Sequence, residues 1–192
     1  MVIGLMGGIG AGKSTVLGYL EEKYNAYIIQ SDLVAKEIME PGHKVFIQVS
    51  EKFPEAIKDG KIENEILSKI AFSDRERLKE LNSITHPGTV DEIIERIQKS
   101  GSEIIVVESA LLLGSGLEEY CDELWFVYCE QETRIRRLMD SRGYTREKAE
   151  SIIKNQPTDD TYNQKADEFI DNSCDENQTR EQIDLIFSVI DC

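Results

Sequence analysis

Apolar residues fall in two rhythms along this chain. Short unbroken runs predict buried strands of a parallel sheet: Met1 to Met6, Tyr27-Ile28-Ile29, Ile104 to Val107, Glu123 to Tyr128, and Phe169-Ile170, the last begun near Ala166-Asp167. Between them apolar positions recur every three or four residues, which predicts helices. The first is Ser14 to Lys23, with Val16, Leu17 and Leu20 on one face. The second is Leu33 to Met39, closed by Glu40-Pro41-Gly42. Later ones are Gln131 to Met139 and Thr179 to Ile190, the latter with Ile183, Ile186, Phe187 and Ile190 facing inward. From Pro41 to His86 no strand pattern appears. Val45 to Phe53, Ile62 to Phe72 and Arg75 to Ile84 read as short amphipathic helices, with a turn at Asp59-Gly60. Pro87 suits the first turn of a further helix, Gly88 to Lys99, which would put His86 at its cap. Ala110 to Gly116 is an apolar segment that closes on two glycines.

Strands alternating with helices predict an α/β fold. The 41–87 stretch reads as a helical insertion able to carry an acceptor. Ser141 to Pro157 contains Gly143 and a helix start at Thr145-Arg146-Glu147-Lys148, and reads as a lid. A length of 192 residues suits one such domain.

The junction of the first strand and first helix carries the chemistry. Gly7-Gly8-Ile9-Gly10-Ala11-Gly12-Lys13-Ser14-Thr15 fits G-x-x-x-x-G-K-[ST] in the strand–loop–helix context this pattern requires. Glycines let the backbone curl so that successive N–H groups point at a phosphate chain. The helix N-terminus adds about half a positive charge. Gly8, Gly10, Ala11, Gly12, Lys13, Ser14 and Thr15 are therefore the nucleotide-binding candidates. Lys13 would reach the β- and γ-phosphates, and Ser14 would ligand Mg²⁺. Two carboxylates stand at predicted strand ends, where α/β sheets bind ligands. Asp32 reads equally as a site acid or as the first-turn acid of the next helix. Glu108 reads as an acid that holds a water on Mg²⁺, with a helix-capping acid as the plainer account. Arg134, Arg136, Arg137, Arg142 and Arg146 form the densest basic stretch. Beside a phosphate loop they are expected to face phosphates.

Charge narrows the partners. A net charge of −15 argues against a nucleic-acid or anionic-membrane surface. Local cations and backbone amides still suffice for a nucleotide. No apolar run approaches a membrane span, and Met1 leads directly into a strand, which points to a cytosolic protein. Cys121, Cys129, Cys174 and Cys192 lack metal or C-x-x-C spacing and read as free thiols.

These segments resemble one family, the dephospho-coenzyme A kinases. The loop itself, Ser31-Asp32 with Ala35 and Ile38, and Glu40-Pro41-Gly42 match it. So do Ile70-Ala71-Phe72 through Leu81 to His86-Pro87, Gln131 to Arg137, Gln156, and Ala166 to Asn172. The resemblance covers nearly the whole chain. It implies a P-loop NTPase fold: a five-stranded parallel sheet flanked by helices, with an acceptor-binding insert at 41–87, a lid at 141–157, and a nucleotide core at 1–40 and 88–192. It implies ATP and dephospho-CoA as substrates, transfer of the γ-phosphoryl to the ribose 3′-hydroxyl, Mg²⁺, and no need for more than a monomer. It implies Asp32 as the base that orients the hydroxyl, Arg142 and Arg137 over the phosphoryl group, Asn172 near adenine and His86 at the acceptor. The chain departs from the family where Ala110-Leu111-Leu112-Leu113-Gly114 lacks the usual proline and glutamate. Gln30 replaces a second acid, and the lid arginine position is Ser141. Another small-molecule kinase of this fold is the nearer alternative, and a non-catalytic nucleotide sensor the further one.

Overall fold

The computed structural model describes residues 1–110 and 112–190; Leu111, Asp191 and Cys192, and the side chain of Ile190, lie outside the described residues. In chain order the elements are β1 (Val2–Met6), α1 (Lys13–Tyr24), β2 (Tyr27–Gln30), α2 (Ser31–Glu37), α3 (Lys44–Lys52), β3 (Ile57–Lys58), β4 (Lys61–Ile62), α4 (Asn64–Ser73), α5 (Arg75–Lys99), β5 (Ile105–Glu108), β6 (Glu123–Tyr128), α6 (Gln131–Arg142), α7 (Arg146–Lys154), α8 (Asp159–Asn163), β7 (Glu168–Asp171) and α9 (Glu176–Ile190). Short 3-10 turns sit at Pro54–Ala56 and Leu117–Tyr120. The five expected strands form one sheet in the order β2-β5-β1-β6-β7. β1 pairs in parallel with β5 and β6, and β6 with β7.

The chain divides into two compact units, Met1–Ile28 with Gly101–Cys192, and Ile29–Ser100. In the first, the predicted strand runs meet as one apolar cluster. Ile3, Leu5, Val16, Leu20, Val106, Trp125, Val127, Ile170 and Ile183 are all fully buried in it. Tyr24 stacks on Phe187 at 3.9 Å, and Trp125 meets the same ring edge-on at 5.5 Å. Such rings bury large apolar areas and favour these offset geometries.

The second unit is helical, built on α5, which packs against α2, α3 and α4. Here the sequence reading is corrected twice. Asp59 and Gly60 make a two-residue hairpin turn, both at positive φ (49° and 73°), between β3 and β4. Strands of two residues are too short to show an alternating pattern. Second, Pro87 lies inside a continuous 25-residue helix and does not begin a new one. The proline removes one backbone donor, leaving the Ser83 carbonyl without its usual partner. Packing outweighs that loss. Thr89 and Ile93 are buried, and Gly88 lets α5 approach so closely that a Cβ there would lie 2.3 Å from Val45 Cγ2. His86 is accordingly a mid-helix, exposed residue. Among the described residues no helix is long and apolar enough to cross a membrane. Cys121, Cys129 and Cys174 are free thiols.

Candidate active site

The loop after β1 adopts the curled form its glycines allow. Gly10 and Gly12 have φ of 77° and 89°, and a Cβ on Gly7 would fall 2.6 Å from the Val127 carbonyl of β6. Gly12 caps α1 without a side-chain acceptor, so the first-turn N–H groups of Lys13 and Ser14 precede any intrahelical partner. These groups lie at the positive end of the helix, where backbone N–H groups are suited to hold an anion. Lys13 Nζ donates to the Gly7 carbonyl at 2.8 Å and lies 3.5 Å from Glu108 Oε1 at the end of β5. The Ser14 side chain is exposed beside it.

Asp32 occupies the first turn of α2 immediately after β2, and is exposed. Arg142 ends α6, exposed, and Arg136 is exposed on the same helix. Two other arginines of α6 turn onto the phosphate loop. Arg137 Nη2 donates to the Asn172 carbonyl at 2.9 Å, and Nη1 to the Ala11 carbonyl at 3.3 Å, with Gly10 O and Cys129 Sγ close by. Arg134 is almost fully buried; its Nε donates to Ile9 O at 2.9 Å, and Nη2 to Gln156 Oε1 at 3.1 Å. The expectation that this basic cluster faces phosphates therefore changes for Arg134, whose guanidinium is engaged by protein oxygens. A side chain with five donors in a rigid fork suits such carbonyl clamping.

Asn172, 3% exposed, donates Nδ2–H to Ala11 O at 2.7 Å and accepts from the Thr179 hydroxyl at 2.9 Å. Its amide thus holds the loop. Cys129 is buried at the end of β6; burial pushes its thiol up, partly offset by the Arg137 guanidinium. Sequence reasoning gave no structural role to Thr179, and tied Gln156 only to the resemblance. Gln156 meets the loop across 147 positions, and Thr179 acts on it only through Asn172; no local pattern signals either.

The donor set fits a hard cation held with a nucleotide. Mg²⁺ takes oxygen ligands, keeps several waters and is commonly bound by one or two protein groups plus phosphates. Ser14 and Glu108 supply a hydroxyl and a carboxylate. Among the described residues no group of three or more His, Cys, Asp or Glu could hold a metal alone.

Comparison with known proteins decides the family. The family model for dephospho-CoA kinase matches residues 1–178. The chain belongs to the dephospho-CoA kinase family. It resembles a dephospho-CoA kinase of Carboxydothermus hydrogenoformans with 41% identity, over 95% of this chain and 90% of that protein. Its fold resembles the crystal structure of TT1252 from Thermus thermophilus, with a TM-score of 0.81 and 26% identity, covering 98% of this chain and 96% of the other. It also resembles a dephospho-CoA kinase from Campylobacter jejuni, with a TM-score of 0.72 and 23% identity over 98% and 96% of the two chains. As a member of the dephospho-CoA kinase family the chain is a kinase, and the fold is the P-loop type expected from its motif.

Proposed function

We propose that this chain transfers the γ-phosphoryl group of ATP to the ribose 3′-hydroxyl of dephospho-CoA, giving CoA and ADP, the last step of CoA biosynthesis. The observation that carries the proposal is family membership over residues 1–178, joined to an intact Lys13-Ser14 phosphate loop. In the reaction the 3′-oxygen forms a bond to the γ-phosphorus as the bond to the β-γ bridging oxygen breaks. The hydroxyl proton passes to the Asp32 carboxylate, and ADP leaves. The transition state is loose, so positioning and charge stabilisation dominate over base strength. Backbone amides of the loop hold the β- and γ-phosphates, and Lys13 offsets charge on the moving group. Ser14 and, through a water, Glu108 would hold Mg²⁺, which when bound neutralises phosphate charge. Arg142, exposed at the end of α6, and Arg137 are the lid-side cations. Asn172 and Thr15 complete the nucleotide side, and His86 the acceptor side.

The 41–87 segment is proposed to receive the acceptor. Support comes from a cavity of about 220 Å³ within the helical unit, lined by Lys36, Met39, Glu40, Lys61, Ile62 and Asn64. Two ammonium groups, one carboxylate and an amide beside two apolar side chains suit a polar molecule with an aliphatic arm. Such an enzyme would work in the cytoplasm, a monomer being sufficient for the chemistry, without nucleic acid or membrane.

A coupled ADP-release assay with and without dephospho-CoA tests the reaction: release should depend on that acceptor and on Mg²⁺. Asp32→Asn should keep ATP binding while turnover drops by on the order of 10²–10⁴-fold, the usual worth of a general base. Near-normal turnover would remove Asp32 from the chemistry.

A further inference from the structure

Ile9, at the crest of the phosphate loop, is held on three sides. Its N–H donates to Gln156 Oε1 at 2.8 Å, and its carbonyl accepts from Arg134 Nε at 2.9 Å. Gln156 Oε1 also accepts from Arg134 Nη2 at 3.1 Å, so the two clamping side chains are bonded to each other. Arg134 Nη1 lies 3.4 Å from Asp159 Oδ1 in the first turn of α8. The Ile9 side chain packs on the cluster of Ile135, Leu138 and Ala149, which joins α6 to α7. Gln156 follows α7 directly, its own N–H donating to the Ile153 carbonyl at the end of that helix. The fit at the loop is close. A Cβ on Gly8 would lie 2.0 Å from Arg134 Nη2.

We propose that Gln156 is a positioning residue for nucleotide binding: with Arg134 it grips both backbone polar groups of Ile9, fixing the loop in its phosphate-receiving curl and linking that curl to α7. The physical reason is that the loop's own backbone bond, Ala11 N–H to Gly8 O, leaves Ile9 to be held by these two side chains. Unclamped, Ile9 could rotate its peptide units, and the inward amides of its neighbours would lose their common direction. Preorganised donors stabilise charge because no reorientation is needed when the ligand arrives. The inference rests on the loop being a nucleotide site, though not on the identity of the acceptor. Direct ATP binding therefore tests it separately from the assay above.

The experiment measures ATP affinity by titration calorimetry, KM for each substrate, kcat, and melting temperature for Gln156→Ala and Gln156→Glu. Gln156→Ala removes the acceptor of Ile9 N–H and of Arg134 Nη2, and should weaken ATP binding and raise KM for ATP about tenfold. KM for dephospho-CoA should stay unchanged. Gln156→Glu keeps an acceptor oxygen for both Ile9 N–H and Arg134, and should restore ATP affinity to near that of the parent. Three results would overturn the proposal. One is unchanged ATP affinity in Gln156→Ala. Another is an equal rise in both KM values with a fall in melting temperature, which marks a merely structural role. The last is failure of Gln156→Glu to recover ATP affinity while it folds as the parent does. If the parent binds ATP but releases ADP with no acceptor, the reaction assigned above fails while this inference still stands or falls on the binding data.

Discussion

The two units of this kinase differ in what their long-range side-chain bonds hold. In the unit of β1, α1 and β5 to α9, side chains from the last third of the sequence reach back to the loop near its start. Gln156 and Arg134 hold Ile9, and Asn172 and Arg137 hold Ala11, across sequence separations of 147, 125, 161 and 126. Each of these bonds ends on loop backbone. In the 29–100 unit many ion pairs lie within one turn of a helix, such as Arg77–Glu80, Lys79–Glu76 and Arg96–Glu92, while Arg77–Glu55 and Arg96–Glu37 tie α5 to neighbouring segments. Pairs of that kind contribute only a few tenths of a kcal/mol each in a helix. The same unit leaves Phe72, Leu33 and Ile47 largely exposed. The difference teaches where precision is concentrated: the phosphate cradle is determined from many directions, while the helical unit relies on helix packing around α5.

The comparison breaks most sharply at Lys13. Lys13→Ala removes the cation that lies on Gly7 O and beside Glu108, and should lower kcat/KM by on the order of 10²–10³-fold in the coupled assay, with little change in melting temperature. In the helical unit the reverse pattern is expected. Gly88→Ala forces a methyl to within 2.3 Å of Val45 Cγ2, and overpacking of this sort costs about 1–3 kcal/mol. Thermal unfolding should show that loss, while calorimetry should show ATP affinity unchanged. The smallest effect concerns pH. Asp184 accepts from Lys23, with Tyr24 and Tyr19 also donating to it, and these partners hold its carboxyl below the ordinary 3.8. A lowered folded value means that its contribution is present at neutral pH and is lost as pH falls past the ordinary value towards the folded one. Asp184→Asn should therefore flatten the decline of melting temperature at the acid end relative to the parent. The group is partly exposed, so solvent screening keeps the difference modest.

Much of this architecture was legible in the residues. The phosphate loop, the five strand runs and the helix carrying Ile183, Ile186 and Phe187 announce themselves through local spacing, because strand and helix periods are local properties. The parts that escaped are of two kinds. Pro87 looked like a helix start, and lies mid-helix because burial of Thr89 and Ile93 and the close pass at Gly88 outweigh one missing donor. Arg134 looked like a phosphate ligand, since its charge and its neighbours suggest one. Its actual partner, the Ile9 carbonyl, is a backbone atom that any residue would present, so no side-chain pattern could advertise it.

The chain has one tryptophan, Trp125, fully buried in β6 against Phe187. Its emission is thus a private signal from the unit that carries the phosphate loop, because the 29–100 unit has none of its own. Unfolding followed by that fluorescence reports the cradle's half alone, and far-ultraviolet circular dichroism reports helices in both. Any gap between the two melting curves would reveal the units letting go separately, in a single sample and without a label.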